Sequence, residues 1–140
     1  MQSTYRNNFA RPVNFLGINL ELVRDNISRD LVLAFDPSFL PKSGKYTDGA
    51  GRFWSGCAGK AKKGTEFRGI SAVDLEDKTA LHILAVQTVE QHEGETLLDY
   101  YASIITINRE ELSEVSPYVV ADAYLPRKFS VDQLLANNFT

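Results

Sequence analysis

Cysteine is almost absent: Cys57 is the single one in 140 residues, so no internal disulfide can form. With the two histidines, His82 and His92, it makes no zinc-type cluster. Apolar runs are short. No stretch reaches the 18 or so residues of a membrane span, and Met1 to Arg11 lacks the basic start and apolar run of a signal peptide, so a cytoplasmic protein without membrane contact is expected. Internal repeats and low-complexity segments are missing too. The 44% of hydrophobic residues present is enough for one folded core and argues against disorder.

Charge is unevenly spread. The chain carries a formal net charge of -3, yet between Pro41 and Gly64 six basic residues (Lys42, Lys45, Arg52, Lys60, Lys62, Lys63) face one acid, Asp48, a local net of +5. Such a concentration of cations in a Gly-rich stretch is either a solvated loop or an anion-binding surface.

The elements read as follows. A short helix is expected to end near Asn26, capped by Asn14 or Asn19. Leu31 to Asp36-Pro37 reads as a buried strand stopped by its acid and proline, and the basic segment after it as a long, partly ordered loop. Thr65–Leu75 and Thr79–Val89 form an antiparallel hairpin about the polar turn Glu76-Asp77-Lys78. Three- and four-residue spacing of Leu97, Leu98, Tyr101, Ile104, Ile105 and Leu112 predicts a helix over Glu95–Leu112. Tyr118 to Asp122 repeats the strand closed by aspartate, and a last helix starts near Ser130.

Asp36 and Asp122 thus each close a short apolar strand, and the intervening helix makes a parallel pairing of those strands the expected one. Their carboxylates would converge at one edge of the sheet. Two converging carboxylates need a counter-charge, and Mg²⁺ takes one or two carboxylates with water or phosphate oxygens completing its shell. Aspartates that merely end a strand, as Asp-Pro often does, give the same spacing. Beside them Lys42, Lys45, Lys60, Lys62 and Lys63 would contact phosphates, and Phe53 or Trp54 would either stack on an unpaired base or plug the loop onto the sheet. Gly59-Lys60-Ala61-Lys62-Lys63-Gly64 lacks the spacing and the hydroxyl of a P-loop. His82 reads as a core or edge histidine, and no nucleophile elbow accompanies the serines.

Asp36-Pro37-Ser38-Phe39-Leu40-Pro41-Lys42-Ser43-Gly44-Lys45, the block Gly51-Arg52-Phe53-Trp54-Ser55-Gly56 with its trailing lysines to Gly64, Leu81-His82-Ile83-Leu84-Ala85-Val86-Gln87-Thr88, and Val120-Ala121-Asp122-Ala123-Tyr124 resemble the catalytic core of DDE transposases of bacterial insertion sequences. The resemblance runs from about Leu31 to the C-terminus. It implies an α/β fold of the ribonuclease-H-like type, a mixed sheet with flanking helices, incomplete at its C-terminal end. Residues 31–140 would be a partial catalytic domain and residues 1–30 a remnant N-terminal segment.

In that family two aspartates and a glutamate hold two Mg²⁺ (or Mn²⁺) ions that cut and rejoin DNA. Asp36 resembles the first acid and Asp122 the second, as catalytic residues and metal ligands, while Lys42, Lys45, Arg52, Trp54, Lys60, Lys62 and Lys63 would hold DNA. The glutamate of the family pattern has no counterpart here, although Glu95, Asp99 or Glu110 could stand in for it. The resemblance therefore implies a nucleoid-associated protein that binds transposon ends and target DNA, with weak or lost metal affinity and no complete strand transfer. The alternative is a non-catalytic DNA-binding or interaction protein that pairs with a full-length transposase or with another copy of itself.

Overall fold

The computed structural model describes residues 11–27, 30–44, 46–88, 94–121, 136 and 139–140. Asp122, Lys45, His92 and the helix expected near Ser130 lie outside them. Along the described chain run α1 (Phe15–Asn26), β1 (Leu31–Pro41), β2 (Gly51–Ser55), a 3-10 turn (Gly56–Ala58), β3 (Lys60–Asp74), β4 (Thr79–Gln87), α2 (Leu97–Ile107), α3 (Arg109–Val115) and β5 (Val119–Ala121).

The strands form one mixed α/β sheet. Its order is β2-β3-β1-β5, with β4 also paired to β3. β1 runs antiparallel to β3 from Leu31 opposite Asp74 to Pro41 opposite Gly64. β5 runs parallel to β1, with Leu33 opposite Val119 and Phe35 opposite Ala121, as the intervening helices require. Phe139 and Thr140 return to this edge: the Val119 amide donates to the Thr140 carbonyl (3.1 Å) and the Thr140 amide to the Pro117 carbonyl (2.8 Å), which seats Phe139 in the core.

β1 does not stop at Asp36-Pro37 as expected but continues to Pro41. The reason lies in which way its amides point. Leu33 donates to Tyr118 on the β5 side (2.9 Å), while Lys42 donates to Lys63 on the β3 side (3.5 Å), so the odd-numbered amides face away from β3. Pro37 and Pro41 sit at odd positions, and the described β5 pairing ends at Phe35, so neither ring removes a hydrogen bond to β3.

The basic segment corrects the sequence reading more strongly, for it is a β-hairpin instead of a loop. β2 pairs with the start of β3, Gly51 opposite Gly64 through Ser55 opposite Lys60, and Gly59 closes the turn in the left-handed region at φ 59°. Gly64 is required for another reason. A methyl there would run into the Leu40 carbonyl and lie 2.8 Å from Phe39 Cζ.

Side chains alternate across the sheet. Leu33, Phe35, Ile70 and Ala72 share the face that packs on Leu20 and Val23 of α1 and on Tyr101, Ile104, Ile105 and Leu112 of α2 and α3. β4 adjusts its register with a bulge opposite Ile70/Ser71, which lets both Ile83 and Leu84 turn towards this core, and Asn19 of α1 donates to the Ile83 carbonyl at 2.8 Å.

α1 is capped by Asn14, whose Oδ1 accepts from the Gly17 amide at 2.9 Å. The single helix expected over Glu95–Leu112 divides at Asn108, whose side-chain amide takes the Ile104 carbonyl at 2.7 Å. Among the described residues no helix is long and apolar enough to cross a membrane.

Candidate nucleic-acid interface

The hairpin register sorts the cations into two faces. Arg52 lies directly opposite Lys63, and on the other edge of β3 the Lys42 amide reaches the Lys63 carbonyl. Lys42, Lys63 and Arg52 therefore form one row across three strands, all exposed, with neighbouring strands about 4.8 Å apart. Like charges directly opposite one another destabilise a sheet. The arrangement is relieved when an anion sits above it. Lys60 and Lys62, equally exposed, alternate to the opposite hairpin face with Phe53. Trp54 belongs with Arg52 by the same alternation and is half exposed, so it does not serve as a buried plug. Lys45 lies outside the described residues.

Asp36 is exposed and, by alternation along β1, shares the sheet face of Ser38 and Lys42, away from the helices. Lys42 is six residues further along the strand, about 20 Å away at strand rise. Asp36 pairs with Gly69 of β3, and the His82 ring lies over that glycine, its Cε1 3.6 Å from where a Cβ would stand. A shallow cavity of about 250 Å³ is lined here by Asp36, Ser38, Gly69, Ser71 and His82. His82 is thus an exposed neighbour of the Asp36 register and not a core residue. Asp122 follows Ala121, which sits opposite Phe35, and is outside the described residues.

Of the three acids considered as a third ligand, Asp99 is engaged elsewhere. It completes a capping box with Thr96 at the start of α2, accepting from the Thr96 hydroxyl (2.6 Å) and amide (2.9 Å). Those two hydrogen bonds hold its carboxyl below the usual carboxylate range. Glu110 stands exposed in the first turn of α3, and Glu95 precedes the cap of α2. Among the described residues no group of three or more histidine, cysteine, aspartate or glutamate side chains could hold a metal ion together.

A buried ionic cluster lies under the hairpin, and the sequence reading missed it. Arg68 is wholly buried; its Nη2 donates to Glu66 Oε1 at 2.5 Å and its Nη1 to the Thr88 hydroxyl at 2.7 Å. The Thr88 and Tyr101 hydroxyls also donate to Glu66 Oε1, at 3.0 and 3.4 Å. Arg68 Nε has no hydrogen-bond partner among the described residues. Burial lowers the Arg68 pKa, opposed by the Tyr101 ring and Glu66, and burial raises that of Tyr101. The signal was available in the sequence: Glu66 and Arg68 share the parity of Ile70 and Ala72, hence the buried face.

Comparison of the chain with protein-family models, with curated proteins and with solved structures finds no match.

Proposed function

We propose that this chain is a DNA-binding protein built on the ribonuclease-H-like core of a DDE transposase, with a divalent-cation site at Asp36 and Asp122. The parallel, in-register pairing of β1 with β5, Phe35 opposite Ala121, is the observation that carries the reading. One further residue in that register would set the two aspartates side by side. The order of the sheet supports it: an antiparallel β1-β3-β4 meander, a helical crossover, then β5 beside β1. The row of Lys42, Lys63 and Arg52 on the Asp36 face supports the DNA partner, because phosphate contacts dominate affinity for nucleic acid.

Mg²⁺ or Mn²⁺ suits such a site. Asp36 is exposed beside a shallow cavity, which leaves room for the waters and phosphate oxygens that Mg²⁺ keeps around one or two carboxylates. When bound, the ion would polarise a phosphoryl oxygen. Asp36 and Asp122 would hold it, and Lys42, Lys63 and Arg52 would fix the strand. The reading assigns binding, not strand transfer, to these 140 residues, and puts the protein's work on DNA in the cytoplasm.

Two titrations test it. Duplex affinity should fall steeply with salt, and a weak Mn²⁺ signal should vanish in Asp36→Asn. Salt-independent DNA binding would overturn the reading. Salt-dependent binding with no Mn²⁺ signal would instead favour the non-catalytic DNA-binding alternative.

A further inference from the structure

The helix α1 carries two apolar rows. Leu16, Leu20 and Val23 turn to the core. Phe15, Ile18 and Leu22 recur at three- and four-residue spacing on the opposite side of the helix, where they are 63%, 50% and 49% exposed. Single exposed apolar residues are ordinary, but three large ones in line along a helix of 12 residues form a face that calls for a cover. The row has charges of opposite sign at its ends. Asp25, three residues beyond Leu22, continues it at the C-terminal end, and Arg11 lies four residues ahead of Phe15; both are exposed. Arg24, the cation of the last turn, is held by Glu114 of α3 at 2.6 Å, so the row itself ends in an acid. A row that is basic before its start, apolar through its middle and acidic at its end is complementary to its own reverse.

We propose that this face of α1 docks a second copy of the chain, the two helices lying antiparallel about a two-fold axis near Ile18. In that arrangement Ile18 meets Ile18 of the second copy, Phe15 packs beside Leu22 of the second copy, and Asp25 comes to the end of the facing helix that Arg11 precedes. The two-fold makes each of these contacts twice. The helix dipoles also oppose one another favourably. A parallel pairing would instead set Arg11 against Arg11 and Asp25 against Asp25, with repulsion at both ends. An interface built on one short helix falls below the ~1,200 Å² of a standard stable complex, so the dimer is weak, of micromolar or lower affinity. The inference goes beyond the DNA-binding reading and stands whether or not DNA is the ligand: α1 packs on the core side of the sheet, whereas Asp36 and the cation row lie on the other side, so docking leaves them open.

Sedimentation equilibrium of the full chain without DNA, at low salt and from micromolar to millimolar concentration, is the test. The wild-type chain should pass reversibly from monomer to dimer. Ile18→Glu sets two carboxylates against each other at the axis and should leave a monomer throughout. Asp25→Arg turns both end contacts from attraction to repulsion and should weaken the dimer about fivefold or more. A cation at a helix C-terminus favours the helix itself, so that loss cannot come from a melted α1. Adding Arg11→Asp to Asp25→Arg exchanges the two ends and should restore the dimer, a rescue that a parallel pairing would not give. All three positions are exposed, and urea midpoints measured on dilute protein verify that each variant folds. A wild-type chain that stays monomeric, or a dimer indifferent to Ile18→Glu, would overturn the docking face. A dimer that Asp25→Arg does not weaken, or that Arg11→Asp does not rescue, would overturn the antiparallel pairing.

Discussion

Arg68 holds its guanidinium carbon 3.2 Å from the centre of the Tyr101 ring. With Glu66 Oε1 2.5 Å from Nη2 and the Thr88 hydroxyl 2.7 Å from Nη1, the guanidinium has a ring against one face and hydrogen-bond partners for both terminal nitrogens. This is how a charge with no solvent exposure is tolerated inside the sheet.

Arg68→Met alone should therefore be costly. It strands Glu66 with its counter-charge gone, and breaking a buried pair costs about 3–5 kcal/mol. The double variant Glu66→Leu/Arg68→Met removes both charges and should recover most of that loss. Urea unfolding of the single and double variants measures it; equal losses in the two would show that packing, and not the unpaired charge, sets the cost.

Tyr101 gives the cluster a pH dependence. Burial raises its pKa above the ordinary value of 10.0, so the folded state keeps the phenol protonated where the unfolded chain ionises it. Its contribution to stability is complete below about pH 10 and is lost as pH rises through the folded value. Tyr101→Phe should flatten this alkaline decline and cost about 0.5–1.5 kcal/mol at neutral pH through the lost hydrogen bond to Glu66. Urea midpoints of both proteins from neutral to alkaline pH supply the comparison.

The same strand shows what can be read from sequence and what cannot. Alternation puts Phe67, Gly69 and Ser71 on one face and Ile70 and Ala72 on the other, as the structure has them, while Val73, read as near the Ile70 side, alternates to the Ser71 face. Glu66 and Arg68 follow the same parity as Ile70, which points to burial, but nothing in a single sequence shows that these two charges will find each other, Thr88 and Tyr101 there. In the basic hairpin the glycines read as breaks; in the sheet, Gly51 and Gly64 are a cross-strand pair. Pro37 misled in a similar way, since its effect depends on which edge its nitrogen faces. Asn108 divides a helix whose apolar spacing continues across it. By contrast, the parallel pairing of the strands preceding Asp36 and Asp122 was legible, because a crossover helix leaves few other ways to pair them.

The capping box at α2 predicts an acid-side dependence. Hydrogen bonds from the Thr96 hydroxyl and amide depress the Asp99 pKa, so its contribution is present above the ordinary aspartate value, near pH 4, and is lost as pH falls through the lower folded value. Asp99→Asn should make the unfolding midpoint less sensitive to acid between about pH 5 and pH 2. Thr96→Ala should cost about 1 kcal/mol at neutral pH, the usual loss of a cap. A wild-type acid slope unchanged in Asp99→Asn would assign it to other carboxylates.

The Arg52–Lys63 pair separates stability from binding. Two cations directly opposite each other on adjacent strands repel in the free protein by an amount that a neutral substitution relieves, about 0.2–1 kcal/mol. Arg52→Gln should therefore raise the unfolding midpoint slightly at low salt, and the gain should shrink as salt screens the pair. The same variant loses a phosphate contact, so duplex binding should weaken and the slope of log affinity against log salt should fall by about one. A variant that is both more stable and a poorer DNA binder is the signature of charges held together for a ligand. If Arg52→Gln destabilises the protein instead, its hydrogen bond to the Ala61 carbonyl (3.4 Å) is its main role, and the cation row owes its arrangement to the hairpin and not to DNA.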